Sequence, residues 1–581
     1  MTDRLSLLED KVERLSSIIE SLQARLGALE RAGVALPAAQ PSEASALDDR
    51  SAPVERGPAV ERPDLVGVLS LLGRLFIVLG GAFLLRAMTD NGTLPPAAGV
   101  GAGLLYAMAW TVAAGRAASA RGGWVATFHG LATAIIGFPL IWEATTRFGV
   151  LTPAMGAMAL TVFVAAMLTV ACWRRQHILA WVAAISSMVA SIVMIASTSV
   201  VVPFALHLIG LGIVTLWIGY QLNWLALRWP VAIVANLVVV GLTTRALAPQ
   251  PQEPAGVTVA IQLLLVGLYL ASIGVRTLVR DRNVIPFEVF QAMASLVVGV
   301  GGAVLVLRAT GTGAVVLGYS TIVFGVACYA VAFAFIDRRQ KRARNVYFYT
   351  SLALIFLVTG CVLVMSQADT VVTWLVLAIG AALAWSRAFR LFMLLHAAAY
   401  LLAADLAAGV LGYSTAALAG RAPQPWLLPS TGMIAALLTA AAVAWLATTG
   451  EAGEPARYAR APRFLILLLG AWVAGGTVVG YLAPLIGGLP AAGVDPGVLA
   501  TLRTAVLAVS TLILAWAGRR DRFAECGWLV YPLLIGIGLK MISEDFTRSR
   551  PATLFVALAV YGAALILAPR LKRPKPAHTS V

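Results

Sequence analysis

The sequence predicts an all-α fold, a polytopic helical membrane protein of about 18 transmembrane helices behind an N-terminal cytosolic coiled coil. Three observations carry this expectation. Apolar residues make up 60% of the 581 residues and charged residues only 12%, with a mean hydropathy of +0.86; soluble domains carry about a quarter charged residues. The apolar residues fall in many runs of roughly 20, which is the length a helix needs to cross a bilayer and too long for barrel strands. The first 31 residues instead carry a heptad seam.

In residues 1–31, Leu5, Leu8, Val12, Leu15, Ile19, Leu22, Leu26 and Leu29 alternate spacings of three and four. Val12 and Ile19 at a positions, with Leu at every d, favour a parallel two-stranded coil. Glu9, Lys11, Glu13 and Arg25 fall off the seam, where water can reach them. The seam is narrower than the apolar face of a helix lying on a membrane surface. The partner expected here is a second copy, giving a homodimer, or another helix. Residues 32–64 are rich in Pro, Ala, Ser and charge and have no periodicity, which reads as a flexible linker. No apolar h-region occurs in the first 64 residues, so the N-terminus is expected to stay in the cytosol.

The polytopic domain is expected over residues 65–570, its span centres running from Val78 to Val560 with Ala440 among them, followed by a basic cytosolic tail, 571–581. Loop charges test the threading. With the N-terminus inside, the cytosolic loops hold 21 Arg and Lys, including Arg174, Arg276, Arg338 and Arg519, and each loop has at least one. The intervening loops hold seven, counting Arg147, Arg503, Arg548 and Arg550, and three have none. A miscounted span would destroy that alternation. It places both termini in the cytosol. The net charge of +16 is therefore topological and not a nucleic-acid-binding face.

Few residues stand out chemically. Arg74 lies about ten residues into the first span, roughly 14 Å deep, where it faces a partner or snorkels back to the cytosolic headgroups. Gly73 and Gly80 beside it predict a close helix neighbour on that flank. Arg86 and Asp90 are spaced i,i+4 at the outer end of the same helix, as a helix-end ion pair or a ligand-contacting one. Asp90-Asn91-Gly92 is a turn by residue chemistry, and Pro95-Pro96 opens the next helix.

Asp405 is the clearest intramembrane acid and a candidate partner for Arg74 or Lys540. Lys540 precedes Glu544, Asp545, Arg548 and Arg550; Lys540 and Glu544 stand i,i+4, a pairing arrangement. His129, His207 and His396 have no second His at ligand spacing and read as hydrogen-bonded core histidines. Glu143 and Glu288 read as interfacial. Pro139, Pro484 and Pro532 are candidate helix breaks. Cys172, Cys328, Cys361 and Cys526 form no CxxC pair and read as packing residues. No phosphate-binding loop, nucleophile elbow or metal-ligand helix is present, so no catalytic set, cofactor or metal is expected.

The stretch GRLFIVLGGAFLLRAMTDNG, with its glycine-arginine entry and DNG exit, resembles the first span of a family of uncharacterised bacterial multi-span membrane proteins. That family shares a cytosolic N-terminal coil, a Pro-rich linker and a very long run of helices. GLKMISEDFTRSRP is similar to the family's closing Lys–Asp–Arg segment, with altered spacing at SEDFTRSR. The resemblance implies Arg74, Arg86, Asp90, Asn91, Gly92, Lys540, Asp545 and Arg550 as the family positions. It brings no activity with it.

Three function classes follow. First stands an envelope-associated scaffold or accessory assembly protein, recruiting or dimerising through the coil. The second is a secondary transporter or lipid flippase using Arg74, Asp405 and Lys540, against which stands the scarcity of intramembrane charge. The third is an intramembrane transferase working on a lipid-linked substrate near Asp90.

Overall fold

The computed structural model describes residues 65–120, 123–311, 313–340, 343–388, 391–419, 429–448, 454–487 and 495–572. The expected coil, the linker, the tail from residue 573 and the side chain of Arg74 lie outside the described residues. Leu69–Val581 groups as one compact unit, and no strand occurs among the described residues.

The first seven helices are α1 (Leu65–Asp90), α2 (Pro96–Ala120), α3 (Gly123–Thr146), α4 (Pro153–Trp173), α5 (His177–Thr198), α6 (Val202–Leu222) and α7 (Arg228–Ala246). Then come α8 (Ala255–Val279), α9 (Pro286–Thr310), α10 (Ala314–Asp337), α11 (Ala343–Val364) and α12 (Gln367–Ala388). The chain closes with α13 (Leu391–Ala407), α14 (Val410–Leu418), α15 (Thr431–Ala447), α16 (Glu454–Gly487), α17 (Pro496–Ala517), α18 (Cys526–Arg548) and α19 (Pro551–Lys572).

Local chemistry explains the ends. Proline opens α2, α4, α9, α17 and α19, where its missing N–H would have had no partner in the helix. Thr152 accepts from the Met155 amide to cap α4, and Asp495 Oδ1 accepts from Gly497 and Val498 to cap α17. Gly92 takes the left-handed conformation (φ +72°) after α1, as the DNG turn requires.

The chain is an all-α, multi-pass membrane protein. Fifteen described helices are long and apolar enough to cross a bilayer, and sixteen if α13 and α14 make one broken span. The expected centres Val78 and Ala440 fall on two further helices, α1 and the 17-residue α15, on which the expected eighteen depends. Outward faces carry Phe83, Leu105, Val162, Val316 and Phe555, all largely exposed, as lipid contact demands. Inward faces build several cores in sequence order. Phe163, Met167, Leu179 and Phe204 anchor one in the first half, and Trp374, Trp385, Tyr400 and Ile466 anchor another in the second. Glycine permits close pairing at α10–α11, where a Cβ on Gly360 would come within 2.8 Å of the Gly318 carbonyl.

Two expectations are corrected. A Cβ on Gly73 or Gly80 would meet nothing within 4 Å among the described residues, so none of these presses there. The close approach is one residue on, at Gly81, where the Tyr106 hydroxyl of α2 sits and donates to the Val78 carbonyl (3.1 Å). Pro139, Pro484 and Pro532 lie inside continuous α3, α16 and α18, the freed carbonyls being tolerable in membrane helices. The irregularities fall elsewhere. π-turns occur at Val275–Val279, Leu296–Gly301 and Met541–Asp545, and a 77° bend separates α13 from α14 at Ala408-Gly409. Gly409 supplies the left-handed conformation of that bend (φ +71°).

Candidate functional site

The densest buried charge lies between α17 and α18. Arg503, on the second turn of α17 and 1% exposed, donates from Nη1 to Glu544 Oε1 (2.5 Å) and from Nε to the Ala417 carbonyl of α14 (2.5 Å). Lys540 Nζ donates to Asp545 Oδ2 (2.6 Å), the Thr504 hydroxyl (2.8 Å) and the Ala500 carbonyl (2.6 Å), and stands 3.5 Å from Glu544. Thr504 donates onward to Asp545 (3.2 Å). Two cations and two carboxylates thus close on each other through one hydroxyl.

The π-turn makes this possible. In an α-helix Lys540 faces Glu544; the wider i→i+5 turn at Met541–Asp545 brings Asp545 beneath it as well. Glu544 is thereby free to reach Arg503. Arg550 is not part of this cluster. It pairs on the exposed surface with Asp495 (3.0 Å).

Beside the cluster lies a cavity of about 640 Å³. Its walls are apolar, from Leu468, Trp472, Leu507, Leu529 and Leu533, and its charged edge is Lys540, Glu544 and Arg548.

A second cluster closes the outer end of α1. Arg86 Nη1 meets Glu143 of α3 at 2.9 Å, while the expected i,i+4 partner Asp90 is at 3.8 Å and is shared with Arg147 at 3.5 Å. Glu143, three residues from the end of α3 as expected of an interfacial acid, is a buried interhelix partner. Asn91 is exposed in the turn, its amide bonded to the Ala87 carbonyl. A cavity of about 360 Å³ adjoins Arg86 and Glu143, walled by Ala82, Phe83, Val100 and Leu140.

Glu288, in the first turn of α9, is likewise buried, and fully so. It accepts from Tyr220 of α6 (2.5 Å), Arg276 of α8 (2.9 Å) and its own Ile285 amide (2.8 Å). Arg463 of α16 pairs with Glu525 ahead of α18 (3.2 Å). His207 is bonded at both ring nitrogens, to Thr161 and Ser187, each at 2.7 Å. Thr161 spends its proton on the Ala157 carbonyl (2.8 Å), so it accepts from His207 Nδ1–H. His396 is held by Tyr329 (2.9 Å).

Asp405 stands apart. It is buried one turn before the α13–α14 bend, and no described residue pairs with it. Lys540 finds its carboxylates on its own helix, so the expected Asp405–Lys540 pair does not form. The sequence reading passed over Arg503 by counting it in a loop; the signal available was an arginine seven residues beyond the helix-opening Pro496 in an otherwise apolar run. No cluster of His, Cys, Asp or Glu suited to a metal occurs among the described residues. No family model, curated protein or solved structure matches the chain.

Proposed function

We propose that this chain is a scaffold or accessory assembly protein of a bacterial inner membrane, with both termini cytosolic. The observation that carries the reading is the pairing of its buried glutamates. Glu143, Glu288, Glu525 and Glu544 each pair with an arginine distant in the chain, on a neighbouring helix in all but one case, and Asp545 pairs with Lys540. Charges locked in this way bolt helices together and are withheld from carrying a substrate or ion. The membrane body then serves as a fixed platform, and residues 1–31 supply the recruiting or dimerising coil, in line with the family the first span resembles.

Transport is the second reading. Asp405, unpaired beside a broken helix, is the observation in its favour, because such breaks line substrate sites in transporters.

Two measurements separate them. Hydrogen exchange on the full chain in nanodiscs should give one uniformly protected population across α16–α18; bimodal exchange spreading through those helices sinks the platform. Oxidative cross-linking of Leu15→Cys in native membranes should give a disulfide-linked dimer, and removing residues 1–31 from the wild type should dissolve the assembly it forms in those membranes. An assembly indifferent to that removal counts against recruitment through the coil.

A further inference from the structure

The α17–α18 cluster pairs both of its carboxylates internally, yet the cavity beside it has an edge that does not balance. The cavity is lined by two cations, Lys540 and Arg548, and one carboxylate, Glu544, while Arg503 and Asp545 lie buried behind them. Both carboxylates are consumed by Arg503 and Lys540. Arg548 is exposed, lines the cavity and has no carboxylate partner among the described residues. Along α18 the lining descends as a stripe at helical spacing: Arg548, Glu544, Lys540, Gly536 and Pro532. Pro532, Gly536 and Arg548 on that stripe, with Ser543 beside it, are exposed on a helix long and apolar enough to cross a membrane, so the cavity opens toward the lipid-facing side.

A trough of about 640 Å³ with Leu468, Trp472, Leu507 and Leu533 as its walls accepts an acyl chain. The surplus positive charge at its end accepts a phosphodiester. We propose that this trough is a binding site for one anionic phospholipid of the surrounding bilayer, its acyl chain against α16–α18 and its phosphate against Arg548 with Lys540 behind. The site is independent of the platform reading above, which concerns the locked pairs and not this surface.

The test is native mass spectrometry of the full chain released from nanodiscs of equal phosphatidylglycerol and phosphatidylcholine. The wild type should retain one phosphatidylglycerol with a roughly fivefold preference, the scale set by one cation near a headgroup. Gly536→Leu should lose the retained lipid, because a Cβ there meets nothing within 4 Å and the added side chain fills the trough without displacing a neighbour. Gly562→Leu, equally open but outside the trough, controls for added bulk and should retain it. Arg548→Gln should keep an occupant and lose the preference for the anionic one. No preference in the wild type, equal retention in Gly536→Leu and Gly562→Leu, or an undiminished preference in Arg548→Gln would each overturn the proposal.

Discussion

Removing the charge of Glu544 should destabilise the membrane body more than removing the whole ion pair. Arg503 is 1% exposed and has two partners, Glu544 and the Ala417 carbonyl. At 2.5 Å and an effective dielectric of about 20, the attraction is about 6–7 kcal/mol before desolvation is charged against it. In Glu544→Gln the guanidinium stays buried against neutral acceptors, and the new amide N–H points toward either Arg503 or Lys540. Breaking one partner of a buried pair costs about 3–5 kcal/mol. The double variant Arg503→Met with Glu544→Met buries no unpaired charge. It loses the bond to Ala417, about 1 kcal/mol, and keeps Lys540 tied to Asp545. Its stability should fall within about 1–2 kcal/mol of wild type. Unfolding in mixed micelles by increasing denaturing detergent, followed by tryptophan fluorescence, reads both. A Glu544→Gln loss below about 1 kcal/mol, or a double variant weaker than the single, would refute the buried-pair argument.

Other perturbations address the remaining contacts. Glu288→Gln replaces the shared acceptor of Tyr220, Arg276 and Ile285 with a group that cannot satisfy all three, so the same assay should show a loss of about 3 kcal/mol. Gly360→Ala drives a methyl against the Gly318 carbonyl and Thr321 hydroxyl; melting should drop by the equivalent of about 1–3 kcal/mol despite alanine's better helix propensity. Tyr106→Phe removes one bond between α2 and α1 and should cost about 1 kcal/mol, with near-wild-type stability showing that the Val78 carbonyl is satisfied within its own helix.

The layout of the fold was legible because lipid imposes length. Runs of roughly 20 apolar residues and alternating loop charge are local signals, and every expected span centre lies on a helix. Which face of a helix meets which neighbour was not legible, because lipid-facing and protein-facing surfaces are both apolar and no polarity gradient marks the inside. Gly73 and Gly80 therefore looked as good as Gly81. Pairing failed for a related reason. Arg86 and Asp90 are visible as i,i+4, but Glu143 belongs to another helix, and only the folded chain brings it to Arg86. Lys540–Glu544 was readable on α-helical spacing, while Lys540–Asp545 needed a π-turn that no residue pattern announces. Asp405 was recognised as an intramembrane acid by position alone, and its lack of a partner emerges only in the fold.

The bond from Arg503 to the Ala417 carbonyl joins residues 86 apart in the chain, and this orders events during synthesis. At about 5–20 residues per second, the ribosome delivers Arg503 roughly 4–17 s after Ala417. Through that interval the elbow at Gly409 has left the membrane insertion site without the side chain that anchors its far arm. Nascent chains stalled short of Arg503 should therefore expose an Ala417→Cys thiol to reagents, and chains stalled beyond α18, in which position 417 is fully buried, should protect it. The late helices act as the clasp of a corner made long before them, and truncation from the C-terminus should loosen that corner first.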